Sequence, residues 1–156
     1  MIRTARPADV PVLHAMIREL AAYERAPEEA RASEEQLREA LFGERPAVHA
    51  HLAEDEEGEP VGFALWFLNF STWRGVHGIH LEDLYVRPAA RGGGHGKALL
   101  TRLARLCVER GYERLEWSVL DWNAPSIAFY EALGARPQDG WTAYRLTDEA
   151  LKTLGA

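Results

Sequence analysis

The chain has 156 residues, 47% hydrophobic and 27% charged, which is the balance of one globular domain spanning 1–156 with a sizeable core. A net charge of −6 leaves no basic stripe to neutralise phosphates, so nucleic acid is excluded as the expected partner, while the carboxylate surplus fits a cationic substrate. Cys107 is the only cysteine, which excludes an internal disulfide. With no apolar run long enough for a membrane span or signal peptide, a cytoplasmic location away from membranes is expected.

Residues 2–5 read as a first strand, and Asp9 is a candidate N-cap for a helix carrying Leu13, Met16, Ile17 and Leu20 at helical spacing to about Tyr23. After a polar loop, Ser33-Glu34-Glu35-Gln36 has capping-box spacing and opens a second helix to about Phe42. Residues 48–53 and the aromatic-rich 61–70 read as strands around a charged turn at 54–59, and 78–86 is the next strand, stopped by Pro88. A helix starting near Ala98 carries Leu99, Leu100, Leu103, Leu106 and Cys107 on one face and ends at Gly111. Residues 114–120 form another strand. Asn123-Ala124-Pro125-Ser126 then caps a helix ending at Gly134, and a last strand (141–146) and a short helix (148–154) complete the chain. The order β-α-α-β-β-β-α-β-α-β implies an α/β fold with a mixed sheet. Its early hairpins are antiparallel, its later β-α-β unit is parallel, and helices lie on both faces.

Between the fourth strand and its helix lies Arg91-Gly92-Gly93-Gly94-His95-Gly96-Lys97. Four glycines in five positions are costly unless the backbone bends sharply or approaches something closely. Ahead of a helix, such a loop turns free N–H groups and the positive dipole end towards one spot, an anion site suited to phosphate. A Walker A loop would need Gly at 91 and Ser or Thr at 98, where Arg91 and Ala98 stand, and a dinucleotide fingerprint would need Gly in place of Lys97. The plain alternative is a Gly-rich turn without a ligand.

This order, with Arg91-x-x-Gly94-x-Gly96 after the fourth strand, resembles the GNAT superfamily of acetyl-CoA-dependent N-acetyltransferases. Tyr23-Glu24, Phe63-Ala64, Leu81-Glu82-Asp83, Trp122-Asn123-x-Pro125-Ser126-Ile127 and Phe129-Tyr130 are similar to the spermidine/spermine (diamine) subgroup. Val119-Leu120-Asp121-Trp122-Asn123 and Ala132-Leu133-Gly134-Ala135 are closer to its thialysine branch. The resemblance implies a mostly antiparallel GNAT fold, acetyl-CoA as co-substrate, a small polyamine, diamine or lysine-like acceptor, no metal, and a homodimer. It implies cofactor contacts from Leu84, Tyr85 and Val86 (pantetheine), from Arg91, Gly92, Gly93, Gly94, His95, Gly96 and Lys97 (pyrophosphate), and from Asn123 and Ser126. It implies acceptor binding by Tyr23, Glu24 and Glu82, and a bulge near Glu82 in the fourth strand.

The chemistry asks for two proton-handling groups. An alkylammonium with pKa near 10.4 costs about 4–5 kcal/mol to deprotonate at neutral pH, which a nearby carboxylate relieves. Glu82 is the candidate, against the alternative of a structural carboxylate. In a regular strand Glu82 and Asp83 face opposite sides and form no dyad unless a bulge intervenes, so substrate contact by Asp83 stays open. A phenol near the departing thiolate can protonate it, and the resemblance gives that role to Tyr130, which is otherwise a half-buried aromatic on an amphipathic helix. Glu28, Glu29, Glu34 and Glu35 read as a solvated face, Cys107 as core, and His49 and His51 as strand neighbours without a third metal ligand. Asp121 is open between substrate contact and cap. A protein or antibiotic amine acetyltransferase, or a non-catalytic acyl-CoA sensor, are the competing functions.

Overall fold

The computed structural model describes residues Met1–Ala156. They form two compact units, Met1–Ser118 and Val119–Ala156. The first unit holds a five-stranded sheet in the order β1 (Ile2–Thr4), β2 (His49–Glu54), β3 (Pro60–Ser71), β4 (Val76–Val86) and β5 (Leu115–Glu116). Neighbours pair antiparallel except β4 with β5, which run parallel through the crossover helix α3 (His95–Arg110). The mixed sheet expected from the element order is therefore formed.

Alternation along the strands sorts the two faces. Ala50 and Leu52 of β2, Phe63 and Leu65 of β3 and Tyr85 of β4 share one core with Leu13, Met16 and Leu20 of α1 (Val10–Tyr23) and Leu37 and Leu41 of α2 (Glu34–Phe42). The intervening residues Ala53, Ala64, Trp66, Ile79 and Leu81 are buried on the opposite face, where α3 packs on β2, β3 and β4 through Leu99, Leu100, Leu103 and Leu106. Each buried leucine contributes roughly 1.5–3 kcal/mol relative to exposure. On the α3 side His51 is buried, and its Nδ1 accepts from Trp66 Nε1–H at 3.1 Å. Burial above all, then the cations Arg102 and Arg110, pushes that imidazole down to about 4, so it is a neutral acceptor at physiological pH. Cys107 is buried, its thiol donating to the Arg114 carbonyl at 3.7 Å.

Local signals set the helix ends. Ser33 N–H donates to Gln36 Oε1 (2.9 Å) and Gln36 N–H donates to Ser33 Oγ (3.1 Å), the reciprocal cap expected from the sequence. Gly111 ends α3 with φ 72°, where a side chain would be strained. Helix α3 begins at His95, three residues before the expected Ala98, because Gly94 takes the left-handed N-cap conformation that turns the chain into the helix early.

Two strands differ from expectation. β5 covers Leu115–Glu116 rather than 114–120, pairing only with Ile79 and His80. The ladder stops two residues before an irregularity in β4 that turns this strand aside. In the second unit, 141–146 forms no strand. That unit contains α4 (Ala124–Ala132) and α5 (Asp148–Leu154) but no other strand, and an extended segment without a partner has no ladder to join. Helix α4 ends at Ala132, two residues short of Gly134, which follows with φ 93°.

Candidate active site

The irregularity in β4 decides where the carboxylates point. Trp66 of β3 pairs with Leu81 and the next residue back, Leu65, pairs with Asp83, leaving Glu82 as an extra residue. Leu65 and Trp66 face opposite sides, so Leu81 and Asp83 do too, although they are two residues apart and a regular strand would put them on one side. This is a β-bulge, and it overrides the alternation that separates Glu82 from Asp83. Asp83 turns to the face covered by α1, where Leu65, Phe63 and Tyr85 lie. The bulge expected near Glu82 is therefore present, and Glu82 sits in it.

Three carboxylates act on one another here. Burial first, then the charges of Glu82 and Glu24, raise Asp83 to about 7. Glu24, the C-cap residue of α1, is raised by burial and then by Glu82. Glu82 itself is more open, its side chain 55% exposed, and its Oε2 lies 3.7 Å from His80 Nε2. Tyr23 and Glu24 are brought to this strand because α1 is fastened to the end of β4: Arg87 Nε donates to both Glu19 carboxylate oxygens at 3.2 Å. The sequence leaves Asp83 open, a partner of Glu82 only if a bulge intervenes, and the bulge is there. The signal that finds it is the β3–β4 register, which is not local.

Downstream of the bulge, Leu84, Tyr85 and Val86 pair with Ala64, Phe63 and Gly62 of β3 on one edge. On the other edge the β5 ladder has already ended, leaving those peptide groups without a strand partner. Backbone groups on such an edge can pair with an amide-bearing chain. Gly62 permits the tight strand approach, since a Cβ there would sit 2.8 Å from the Tyr85 carbonyl oxygen.

The glycine segment splits into two parts. Arg91, Gly92 and Gly93 form the turn and Gly94 the N-cap, with φ 86° at Gly92 and 82° at Gly94, a region open to glycine. His95, Gly96 and Lys97 are the first turn of α3, and its first helical bond runs from Ala98 N–H to the Gly94 carbonyl. No side chain caps this end. The amides of the first turn are therefore directed out of the helix with the positive end of its dipole, which suits an anionic group such as pyrophosphate. Arg91 closes the turn: Nε donates to the Val86 carbonyl at 2.9 Å, and the guanidinium lies 5.1 Å from the Tyr23 ring centroid and 5.8 Å from that of Tyr85.

In the second unit, Asn123 is buried and caps α4, its Oδ1 accepting from Ser126 N–H at 3.4 Å. Ser126 is in the first turn and Tyr130 about one turn on, half-buried, its ring 5.5 Å from that of Phe129.

Comparison with known proteins gives the family. The model of the acetyltransferase (GNAT) family matches residues 13–135. A thialysine N-epsilon-acetyltransferase of Bos taurus is 39% identical over 164 residues, covering 99% of this chain and 96% of that protein. A spermidine/spermine N(1)-acetyltransferase-like protein 1 of Homo sapiens is 31% identical over 159 residues, covering 96% of this chain and 23% of that protein. Among solved structures, an integron cassette protein from the mobile metagenome of V. cholerae has a TM-score of 0.83 at 26% identity, covering 99% of this chain and 96% of its own. With the family match extending from α1 past α4, this chain belongs to the acetyltransferase (GNAT) family and is an N-acetyltransferase.

Proposed function

We propose that the protein transfers acetyl from acetyl-CoA directly to a primary amine of a small diamine, polyamine or lysine-like acceptor. The observation that carries this reading is the bulge in β4, which sets Glu82 and Asp83 where they act on Glu24 of α1, on the strand that leads to a helix N-terminus suited to pyrophosphate. An anion cradle after β4 and a carboxylate cluster at its bulge match a phosphate-bearing donor and a cationic acceptor. The likeness to a bovine thialysine acetyltransferase and to a human spermidine/spermine acetyltransferase-like protein supports the same acceptor class.

Each residue then has a task. The amides of 92–97 hold pyrophosphate, with Lys97 and Arg91 adding charge, and the open edge at Leu84, Tyr85 and Val86 pairs with the pantetheine amides. Asn123 and Ser126 complete the donor contacts. Bound acetyl-CoA supplies the thioester carbonyl that the amine attacks and a thiolate leaving group. Glu24, beside Tyr23, holds a distal ammonium. Glu82 receives the reacting ammonium and takes its proton onto a carboxylate oxygen. Asp83, held near neutrality, shares that proton, because two carboxylates in one field do not both stay ionised easily. The amine's lone pair is then free. The Tyr130 hydroxyl gives its proton to the departing sulfur and is reprotonated from the acetylated nitrogen.

The test is CoA release from acetyl-CoA with a panel of spermidine, 1,3-diaminopropane, thialysine and lysine. Turnover with at least one amine is expected. Retained acetyl-CoA binding without CoA release for any amine would overturn the enzyme reading in favour of a sensor.

The reading includes a homodimer in the cytoplasm. Supporting it, the second unit exposes Trp141 (76%) and Tyr144 (95%) in a segment without a ladder and Leu154 (76%) at the end of α5, a surface that suits a second copy. The lone thiol of Cys107 is buried and unpaired with another cysteine, in keeping with a reducing compartment. Sedimentation equilibrium reads the oligomeric state; a monomer at micromolar concentration removes the dimer from the proposal.

A further inference from the structure

We propose that His80 is a positioning residue of the acceptor site: its imidazole is the resident partner of the Glu82 carboxylate, and the incoming ammonium takes its place. The proposal rests on the reading of Glu82 as the group that receives the amine.

The geometry comes from β4. His80 pairs with Phe67, the neighbour of Trp66, so it lies on the face opposite α3, the side to which Asp83 also turns. Glu82 lies two residues on along β4, with His80 Nε2 and Glu82 Oε2 3.7 Å apart. Phe67 backs the imidazole, with ring centroids 4.9 Å apart and planes 31° from parallel. This contact limits the ring's freedom to swing away from the carboxylate. From β5, Glu116 is the parallel register partner of His80 and itself accepts from Asn69 Nδ2 at 3.4 Å. On its own strand and on α1, Asp83 and Glu24 add their charge to that of Glu82. The carboxylates gathered around Glu82 draw a substrate ammonium to the oxygen beside which the imidazole lies.

The imidazole and an incoming ammonium compete for the same Glu82 oxygen. The effect belongs in KM for the amine and leaves kcat at saturating amine unaltered.

Steady-state rates with saturating acetyl-CoA and varied 1,3-diaminopropane at one fixed pH test this on wild type, His80→Gln and His80→Lys. KM is expected to be about three- to fivefold lower in His80→Gln than in wild type, the scale of one partly exposed polar pair. His80→Lys, which sets a cation beside Glu82, is expected to raise KM with kcat retained. A KM in His80→Gln equal to or above that of wild type, or an unchanged KM in His80→Lys, overturns the proposal.

Imidazole resonances of His80 give a readout independent of turnover. They are expected to move on adding 1,3-diaminopropane to wild type and to stay still in Glu82→Gln. Movement without acetylation of any amine retains the pairing and removes the proposed function. Turnover without movement removes the pairing alone.

Discussion

Asp83 has a cost in stability that can be measured. Burial and two neighbouring carboxylates hold it at about 7, above the value of 3.8 for a free side chain. The folded protein therefore binds a proton that the unfolded chain has released, and stability falls as pH rises from about 4 to 7. Asp83→Asn removes this cost. It is expected to stabilise the protein by about 1–3 kcal/mol at about pH 8 and by close to nothing at about pH 4, read by urea unfolding at both pH values. The same variant is expected to lose activity, so stability and turnover move in opposite directions. Tyr130→Phe should lower kcat by about 100-fold while acetyl-CoA binding stays within about twofold, measured by calorimetry beside steady-state rates. Glu82 was legible as a candidate because a carboxylate in a central strand is costly without a role. Asp83 was legible only conditionally, because alternation sends it to the other face unless a bulge intervenes, and its pairing with Leu65 across β3 settles which face it takes.

Elements were legible where their signals are local. The Ser33–Gln36 cap, the Gly111 helix end and the Asn123 cap all lie within a few residues of what they control. The extents of β5 and of 141–146 were not, because a strand exists only with its neighbour. The glycine loop joins the two cases: its motif is local, and its use as a cradle depends on α3 starting at His95 with no side-chain cap. Gly94→Ala places a Cβ at φ 82° and is expected to cost roughly 1–2 kcal/mol of stability, with acetyl-CoA binding weakened about tenfold as the amides of the first turn shift. Thermal melts and acetyl-CoA titrations separate the two effects. Gly78 tests the β4–β5 junction. A Cβ there would lie 2.7 Å from Asn69 Oδ1 and 3.0 Å from the Arg114 carbonyl oxygen. Gly78→Ala is expected to destabilise by about 1–3 kcal/mol, read by urea unfolding, because one of the two contacts is backbone and gives little.

For the molecule as a whole, a net charge of −6 with acidic groups gathered at one site favours the approach of cations. Raising salt from about 20 mM to about 500 mM is expected to raise KM for 1,3-diaminopropane several-fold, and more than for a monoamine of equal length, with kcat little changed. Equal salt dependence for both amines would place the discrimination elsewhere. No helix is long and apolar enough to cross a membrane. The bulge has a larger consequence. With Trp66 already opposite Leu81 and Leu65 already opposite Asp83, every other cross-strand pair of β3 and β4 is in step, and Glu82 is the one residue that β4 has to spare. Deleting Glu82 would join Leu81 to Asp83 and leave an uninterrupted ladder, with the core positions Phe63, Leu65, Trp66 and Tyr85 unmoved. Such a chain of one residue fewer is expected to fold at least as stably as the parent and to acetylate nothing. The capacity for chemistry is then carried as a surplus of length, a single residue that the architecture does not need and the reaction does.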